Sequence, residues 1–255
     1  MKAVFKRPEA LKNVPFRFCP GCGHSILHRL VAEVVDEFGI RGRTIGIAPV
    51  GCAVFAYDYW NFDVIECAHG RPPAVATALK RTMPDRVVIS YQGDGDLASI
   101  GMAEIIHAAN RGENFTVVFV NNANYGMTGG QMAPTTLPGQ RTTTTPLGRD
   151  PKLHGYPMPV AELMAQLPGT YFVVRTAIDS VKGVMETKRM IKRAIGYQIE
   201  GRGFTFVEVL SPCPTDWGMS PEDSLNWVKD SMERAYPTGV LKEPEGGERQ
   251  WKTRS

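Results

Sequence analysis

Short apolar segments alternate with amphipathic segments along most of this 255-residue chain. Residues 115–120, Phe-Thr-Val-Val-Phe-Val, are almost entirely apolar, which is typical of a parallel strand that is covered on both faces. Further strands are predicted at 43–48, 86–91, 171–175 and 204–210, and helices at 24–38, 72–80, 97–111 and 180–200. Because strands and helices alternate, the sequence predicts a doubly wound α/β domain with a mostly parallel sheet.

The composition divides the chain into three parts. Residues 1–23 form an irregular N-terminal arm with two cysteines, residues 24–228 form the α/β domain, and residues 229–255 form a polar C-terminal tail rich in Pro and Gly. Residues 123–158 are predicted to be a loop dense in Gly, Thr and Pro. Loops of this length in a compact domain are usually functional, so we expect this loop to serve a site.

The overall composition is that of a globular protein, with 43% apolar and 22% charged residues. A net charge of +3 is too small to indicate binding to nucleic acid or to an anionic membrane. No apolar run has the length of a membrane span, and residues 1–7 lack the apolar core of a signal peptide. We therefore expect no membrane insertion and predict a cytoplasmic location. In that compartment a Cys-x-x-Cys motif indicates metal binding or redox chemistry rather than a structural disulfide.

Polar residues follow two neighbouring predicted strands at the point where each strand ends. Gly-Asp-Gly (93–95) follows one strand, and Asn-Asn (121–122) follows the next. The glycines permit a tight turn, Asp94 offers a hard oxygen ligand for Mg²⁺, and the amides of 125–131 can form a phosphate-binding nest. Gly-Asp-Gly alone is a common turn. The order strand, helix, strand and Asn-Asn favours a diphosphate site, and it is typical of thiamine-diphosphate enzymes.

Four of the five cysteines stand in a pattern that indicates a metal site. Cys19 and Cys22 share one tight loop, Cys52 follows a predicted strand end, and Cys213 follows the last strand. All four can therefore converge at one edge of the sheet. Soft thiolates bind iron–sulfur clusters or structural zinc. A dithiol redox motif at the first pair is the other alternative, and it would leave the later two cysteines without a role.

Three further residues near these motifs have individual predictions. Cys67 has no assigned role, and we expect a buried free thiol there. His24 begins a helix beside the cysteine loop and is predicted to tune the metal site by hydrogen bonding. Asp96 begins the helix after Gly-Asp-Gly, where it is predicted to act as an N-terminal cap.

Six motifs in the same order give the chain a family resemblance. They are Cys-Pro-Gly-Cys-Gly-His (19–24), Val-Gly-Cys (50–52), His-Gly-Arg-Pro-Pro-Ala-Val-Ala-Thr-Ala (69–78), Gly-Asp-Gly-Asp-Leu-Ala (93–98), Tyr-Gly-Met-Thr-Gly-Gly-Gln (125–131) and Ser-Pro-Cys-Pro-Thr (211–215). With these motifs the chain resembles the β subunit of 2-oxoacid:ferredoxin oxidoreductases, over nearly its whole length except the C-terminal end.

The resemblance implies a thiamine-diphosphate-binding fold with two metal centres. A [4Fe–4S] cluster would be held by Cys19, Cys22, Cys52 and Cys213, and Mg²⁺ by Asp94, the Asn122 side chain and the Asn124 backbone carbonyl. The cofactor-binding residues that it implies are Gly51, His69, Gly70, Gly93, Asp94, Gly95, Asp96, Asn122, Tyr125, Gly126, Met127 and Thr128.

The implied activity is CoA-dependent oxidative decarboxylation of a 2-oxoacid to acyl-CoA and CO₂, a reaction of anaerobic metabolism. The oxidation releases a pair of electrons, whereas ferredoxin accepts one electron at a time, so a nearby cluster can separate the pair. The alternative is a non-redox thiamine-diphosphate decarboxylase or lyase subunit with zinc, or nothing, on the cysteines.

The resemblance also implies partner subunits. Thiamine diphosphate is activated by a glutamate from a pyrimidine-binding domain, and this chain has length for one such domain only. We therefore expect an α subunit to supply that domain and its glutamate, together with γ and ferredoxin-like δ subunits. The chain alone should be inactive.

Two residues are predicted to act on the 2-oxoacid. His69 lies in His-Gly-Arg, which faces the cofactor in the resembling family, and Phe55 lies three residues after Cys52, where family members approach the substrate side chain. An apolar Phe55 favours a branched or aromatic 2-oxoacid, so the 2-oxoisovalerate type is expected first and 2-oxoglutarate next.

Overall fold

A computed structural model describes residues 6–244 of the chain, which build a seven-stranded sheet covered by helices. The strands are β1 (Thr44–Ala48), β2 (Asp63–Glu66), β3 (Val87–Gly93), β4 (Thr116–Asn121), β5 (Thr170–Ala177), β6 (Phe204–Leu210) and β7 (Gly239–Lys242). Their spatial order is β2-β1-β3-β4-β6-β5-β7, and every neighbouring pair is parallel except β5 with β7. This topology confirms the predicted doubly wound, mostly parallel α/β fold.

The helices and helical turns connect these strands. The α-helices of the described residues are α1 (Gly23–Phe38), α2 (Ala56–Tyr59), α3 (Pro72–Thr82), α4 (Met102–Asn110), α5 (Pro151–His154), α6 (Val160–Gln166), α7 (Val181–Ile199), α8 (Pro214–Trp217), α9 (Pro221–Trp227) and α10 (Glu233–Ala235). There are 3₁₀ turns at Arg41–Arg43 and Cys52–Phe55, and π-helical turns at Asp96–Ile100 and Val228–Met232. No helix within residues 6–244 has the length and apolar character needed to cross a membrane.

Two apolar cores cover the two faces of the sheet. One face packs against α1 and α7, with Val31 and Ile191 fully buried, and the other packs against α3, α4 and α6, with Ile105 and Val160 fully buried. All residues of β4 and β6 are buried, because helices cover both of their faces. Burial of one large apolar side chain contributes about 1.5–3 kcal/mol, so these central strands are the most strongly stabilised part of the fold.

Helix α1 carries the first cysteine loop onto the sheet. It begins directly after Cys22 and ends at Gly39, whose φ of 63° lies in the left-handed region that glycine adopts without strain. The Gly39 N–H donates to the Asp36 carbonyl oxygen at 2.9 Å. The predicted start and end of this helix are therefore confirmed to within one residue.

The predicted helix at 97–111 is divided into two parts. A π-helical turn covers Asp96–Ile100, and α4 begins at Met102. Between them, Gly101 lies so close to the backbone of Gly70 that an added Cβ would stand 2.7 Å from the Gly70 carbonyl oxygen. The wider turn thus brings the start of this helix against the His69-Gly70 turn.

The predicted polar tail is wrong for residues 229–244, which continue the fold. Met232 and Tyr236 are buried, and β7 pairs with β5 through Val174 and Val240. The buried Arg175 guanidinium lies over the Tyr236 ring, with its Cζ 5.2 Å from the centroid of the ring. Residues 245–255 lie outside the described residues, as do residues 1–5.

Candidate active site

A cavity of about 120 Å³ opens where β1, β3 and β4 end. This is the carboxyl edge of the sheet, where doubly wound folds bind ligands. The predicted cofactor residues that line the cavity are Gly51, His69, Gly93, Asp94, Gly95, Asp96, Asn122, Tyr125, Gly126, Met127 and Thr128. Asn124, Cys52 and His24 line it too. Gly70 is outside the wall. The sequence motifs that lie far apart along the chain therefore meet in one site.

Polar groups of three residues meet on the floor of this cavity. The Asn122 amide lies among the Asp94 Oδ1, the Asn124 Oδ1 and the Asn124 carbonyl oxygen, and with its nitrogen turned toward them it can donate to all three, at 3.2, 3.1 and 2.8 Å. Carboxylate, side-chain amide and backbone carbonyl oxygens are the kinds of ligand that bind hard cations such as Mg²⁺. The chemistry of this donor set fits the ion.

The Asp94 carboxyl group is buried, and two features of its surroundings act on its pKa in opposite directions. Burial raises the pKa of Asp94 to about 7, although hydrogen bonds favour the ionised form. Oδ2 accepts from the Thr135 hydroxyl at 2.6 Å, and Oδ1 accepts from the Gly95 N–H at 2.8 Å. A bound divalent cation would offset the desolvation of this carboxylate.

The turn after β4 is held in an unusual conformation. Ala123 has a φ of 57°, a left-handed conformation that costs a residue with a Cβ roughly 1–2 kcal/mol. Its N–H donates to the Asn121 Oδ1 at 3.2 Å, and its carbonyl oxygen accepts from the Thr136 hydroxyl at 2.6 Å. The Asn121 amide in turn donates to the buried Glu208. Asn121 therefore holds the turn, while Asn122 faces the cavity.

The segment 125–131 closes over the Gly-Asp-Gly turn. An added Cβ at Gly95 would collide with the Tyr125 ring, which explains why this position is glycine. The Tyr125 N–H donates to the Gln131 carbonyl oxygen at 2.9 Å, and the Gly130 N–H donates back to the Tyr125 carbonyl oxygen at 2.9 Å. These bonds form the tight turn that lines one side of the cavity.

Asp96 does more than begin a helix. Its Oδ1 accepts from the His69 Nδ1 at 2.5 Å and from the Gly70 N–H at 2.8 Å. Its Oδ2 accepts from the Gln92 Nε2 at 2.6 Å, and the Gln92 Oε1 accepts from the Ser90 hydroxyl at 2.8 Å. The predicted N-terminal cap is therefore replaced by a role toward His69. Sequence reasoning missed the two residues behind it, although polar residues in an otherwise apolar strand were a usable signal.

The first cysteine loop docks on the segment before the fourth cysteine. The Cys22 N–H donates to the Cys19 carbonyl oxygen at 3.0 Å, and the Gly23 N–H donates to the Pro212 carbonyl oxygen at 3.3 Å. An added Cβ at Gly23 would collide with the Ser211 hydroxyl. The glycine after Cys22 therefore allows the close approach of the two segments.

The other two cysteines meet beside Gly126. A Cβ added there would stand 3.4 Å from the Cys52 Sγ and 3.6 Å from the Cys213 Sγ, so these sulfurs lie within about 7 Å of each other. Burial, with repulsion from neighbouring cysteines and Asp216, raises the pKa of Cys22 to about 11 and that of Cys52 to about 12. The pKa of Cys213 is also raised, first by burial and then by Asp216.

The donor set fits a soft metal, although the sulfurs do not enclose one point. All five cysteines are free thiols, and Cys19 is exposed. Within residues 6–244 no three His, Cys, Asp or Glu side chains form a group that could hold a metal ion. Asp216, which sequence reasoning missed, accepts from the Cys213 Sγ at 3.3 Å and has no motif signal.

His24 is buried between the cysteine loop and the cavity. Its Nδ1 lies 2.7 Å from the Tyr91 hydroxyl, and the Phe18 ring stacks on it at 5.3 Å. Burial, and then repulsion from His28, lowers the pKa of His24 to about 3. His24 is therefore neutral at physiological pH and offers its ring as a hydrogen-bonding group.

Two predicted positions differ from expectation. Phe55 does not line the cavity, because its ring packs against Phe18 with centroids 5.8 Å apart and against the core around α1. The apolar-wall argument for substrate choice thus has no basis in this cavity. Cys67 is half-buried rather than buried, and burial, followed by Asp96 and Glu66, raises its pKa to about 11.

Comparison with known proteins matches this geometry. Residues 50–209 match the family described as thiamine pyrophosphate enzyme, C-terminal TPP binding domain. The ketoisovalerate oxidoreductase subunit VorA of Methanothermobacter thermautotrophicus is 50% identical over a 246-residue alignment, which covers 92% of this chain and 52% of that protein. The 2-oxoglutarate synthase subunit KorB of Methanocaldococcus jannaschii is 34% identical over 86% of this chain and 79% of that protein.

A solved structure shows the same fold. It is the 2-oxoglutarate:ferredoxin oxidoreductase from Magnetococcus marinus with 2-oxoglutarate, coenzyme A and succinyl-CoA bound, with a TM-score of 0.77 and 28% identity. The match covers 95% of this chain and 86% of that one. This chain spans about half the length of the VorA relative. It belongs to the 2-oxoacid:ferredoxin oxidoreductase family, as a subunit that carries the thiamine pyrophosphate-binding domain.

Proposed function

We propose that this chain is the thiamine-diphosphate-binding subunit of a cytoplasmic enzyme that oxidatively decarboxylates a 2-oxoacid to acyl-CoA and passes the electrons to ferredoxin. The observation that carries the proposal is the shared wall of two sites. Cys52 and Gly126 line the cavity that contains Asp94, and Gly126 also adjoins the Cys52 and Cys213 sulfurs. The cavity proposed to bind the cofactor and the cysteines proposed to bind the cluster therefore share a wall, with no domain between them.

Mg²⁺ at the floor of the cavity is the first part of the proposal. The carboxylate of Asp94 and the oxygens of Asn122 and Asn124 support it, because they meet on the cavity floor and oxygen ligands suit this ion. The ion would neutralise the diphosphate of thiamine diphosphate, while the turn at 125–131 holds the phosphates. When bound, thiamine diphosphate supplies the electron sink for decarboxylation.

A [4Fe–4S] cluster on Cys19, Cys22, Cys52 and Cys213 is the second part. The docking of the Cys19–Cys22 loop on the Cys213 segment supports it, as does the approach of the Cys52 and Cys213 sulfurs at Gly126. Thiolates are the ligands that hold such clusters, and a cluster accepts electrons singly. Because metal binding requires thiolates, the raised pKa values of Cys22 and Cys52 mean that assembly releases protons.

Partner subunits are the third part. The relatives are named as subunits, which supports a complex of several chains. The other chains would be an α subunit with the pyrimidine-binding domain and its activating glutamate, and γ and ferredoxin-like δ subunits. The 50% identity to a ketoisovalerate oxidoreductase subunit favours 2-oxoisovalerate as substrate, and the 34% identity to a 2-oxoglutarate synthase subunit supports 2-oxoglutarate as the next candidate.

The decisive experiment purifies the full chain without oxygen, alone and with its co-expressed partners. We expect iron and sulfide in the protein, a broad visible charge-transfer absorption, and viologen-linked oxidation of 2-oxoisovalerate with CoA by the complex. The ratios of kcat/KM for 2-oxoisovalerate, phenylpyruvate, pyruvate and 2-oxoglutarate then identify the substrate. A colourless protein that holds zinc and decarboxylates without reducing viologen would instead establish the non-redox alternative.

A matched pair of variants tests the cavity in the same samples. Asp94→Asn keeps the shape of the side chain but removes the charge that Mg²⁺ needs, so we expect the thermal stabilisation by thiamine diphosphate with Mg²⁺ to disappear. Asp63→Asn, at an exposed position of the edge strand β2, should keep it. Equal stabilisation of both variants would rule out this magnesium site.

A further inference from the structure

A chain of buried polar side chains lies behind His69. Its members are Asp96, Gln92 and Ser90, which are each no more than 2% exposed and linked by hydrogen bonds of 2.6 and 2.8 Å. A buried polar group is costly unless it is hydrogen-bonded, and a carboxylate is the most costly. At its Asp96 end this chain of side chains contacts His69, whose side chain is 29% exposed and lines the cavity. The hydrogen-bonded chain therefore leads from the interior to the site.

The backbone around His69 is clamped by the same carboxylate. The Gly70 N–H donates to the Asp96 Oδ1, the oxygen that also accepts from the His69 Nδ1. Gly70 has a φ of 76°, and a Cβ on Gly70 would stand 2.6 Å from the Gly101 nitrogen. Any side chain at Gly70 would therefore push the turn away from the π-helical turn Asp96–Ile100. Single π-helical turns within helices are often found at functional sites, and this one places the carboxylate.

We propose that Asp96 is a positioning residue for His69, which it holds as the Nδ1–H tautomer with Nε2 toward the cavity. A carboxylate that accepts from one ring nitrogen fixes both the tautomer and the orientation of an imidazole. A neutral His69 then presents a bare Nε2, which accepts a proton from a group in the cavity. The nearby Asp96 carboxylate stabilises the imidazolium that forms, as in other Asp–His pairs. When the proton leaves Nε2 again, the ring returns to its starting state.

The role of His69 as a proton acceptor rests on the proposed function, whereas its Nδ1–H tautomer can be tested independently of that function. We would label the histidines of the full chain with ¹⁵N and record long-range ¹H–¹⁵N spectra at a mildly alkaline pH, where imidazoles are neutral. His69→Asn identifies the His69 signals by their loss. We expect Nδ1 to be the protonated nitrogen and Nε2 to be bare. A proton on Nε2 would overturn the proposal, even if the enzyme is active.

Two variants of Asp96 separate its acceptor oxygen from its charge. In Asp96→Asn the amide oxygen can still accept from the Gly70 N–H and the His69 Nδ1–H, and a rotated Gln92 can accept from the amide nitrogen, so we expect the Nδ1–H tautomer to persist. Asp96→Ala removes the acceptor, and its His69 signals should shift toward a mixture of tautomers. In the assembled complex, kcat of Asp96→Asn should fall by about 10- to 100-fold with little change in KM, because the imidazolium loses its stabilising charge; losses of this size are typical for the carboxylate partners of metal-bound histidines.

Two controls separate the outcomes. Asp63→Asn should alter neither the spectrum nor kcat. His69→Asn, which can still donate to Asp96 but lacks Nε2, should lower kcat at least as much as Asp96→Asn, and the double variant should lose no more. An unchanged tautomer in Asp96→Ala, or an unchanged kcat in Asp96→Asn, would overturn the proposal. A complex that oxidises no 2-oxoacid, yet shows the Nδ1–H tautomer, would overturn the proposed function instead.

Discussion

The Thr135 hydroxyl donates a 2.6 Å hydrogen bond to the Oδ2 of Asp94, across 41 residues of chain. Thr135 is fully buried, and its carbonyl oxygen accepts from the Tyr236 hydroxyl at 2.7 Å. The long loop after β4 is therefore fastened to the carboxylate on the cavity floor and to the C-terminal part of the fold. The long loop was expected from its length to serve a site, and this bond is a direct contact between the loop and the cavity floor.

Loss of the Thr135 hydroxyl should weaken cation binding. Thr135→Val keeps the shape but removes a hydrogen bond to the ionised Asp94, so the already raised pKa of Asp94 rises further and less carboxylate is present at neutral pH. We expect the affinity for thiamine diphosphate with Mg²⁺, measured by calorimetry, to fall by about 10-fold, the equivalent of about 1.4 kcal/mol. Thr135→Ser keeps the hydroxyl and should bind nearly normally. Equal affinities would show that the bond has no effect on the site.

The cysteine assignment is tested by iron content. Replacement of Cys19, Cys22, Cys52 or Cys213 with Ala should lower the bound iron and abolish ferredoxin reduction, because a four-thiolate site loses a ligand. Cys67→Ala is the matched control, since Cys67 packs against the core on the α3 and α4 side of the sheet and should leave the iron unchanged. Full iron in Cys213→Ala would contradict the four-ligand assignment.

The buried Arg175 should make the fold sensitive to one of its two partners. Arg175 and Glu208 side chains are fully buried, whereas Glu162, the other carboxylate that accepts from Arg175, is 43% exposed. Glu208→Gln should reduce the free energy of unfolding by about 3 kcal/mol, because it removes the one fully buried carboxylate that pairs with the buried Arg175 charge. Glu162→Gln should cost about 1 kcal/mol or less, since water reaches that side. Urea unfolding compares the two, and equal losses would refute this difference.

Acid should destabilise the chain through His28. Its Nδ1–H donates to the His24 carbonyl oxygen at 2.7 Å, and its buried Nε2 has no partner. Burial lowers the pKa of His28 from 6.5 to about 4, so the folded state resists protonation and the unfolded state does not. The stability is thus complete above pH 6.5 and is lost as the pH falls toward about 4, by up to about 1.4 kcal/mol per pH unit.

The measurement for His28 is urea unfolding at several pH values. His28→Asn keeps a donor for the His24 carbonyl but cannot be protonated, so its stability should fall less steeply with acid. His107→Asn, at an exposed position on α4, should behave like the unmodified chain. Parallel slopes for all three proteins would show that His28 does not carry the effect.

Much of the fold was predictable because the central strands are covered on both faces. β4 and β6 are buried at every position, and such runs leave a plain apolar signal. The edges were not predictable in the same way. β2 has no buried residue, and β7 is a four-residue strand that begins with Gly and has Pro nearby on both sides, so neither has the alternation or apolar run that identifies a strand. The spatial order of the strands depends on packing that no local pattern records.

The sequence predicted the site residues that belong to motifs at strand ends. It did not predict the contacts between side chains that lie far apart along the chain. Asp94 and Asn122 were found because strand ends meet at one edge of a parallel sheet. The role of Asp96 toward His69 was missed, since a carboxylate at the start of a helix is usually a cap and the two residues are 27 positions apart. Phe55 was expected in the cavity from its distance to Cys52, but the 3₁₀ turn Cys52–Phe55 directs its ring into the aromatic cluster around Phe18.

The position of Gly126 has a consequence for how far an electron must travel. This residue borders the cavity on one side and the Cys52 and Cys213 sulfurs on the other, while Cys52 itself belongs to the cavity wall. Under the proposed function, a cofactor in the cavity and a cluster on these sulfurs would share this wall. Electrons would then pass from one to the other without movement of a domain.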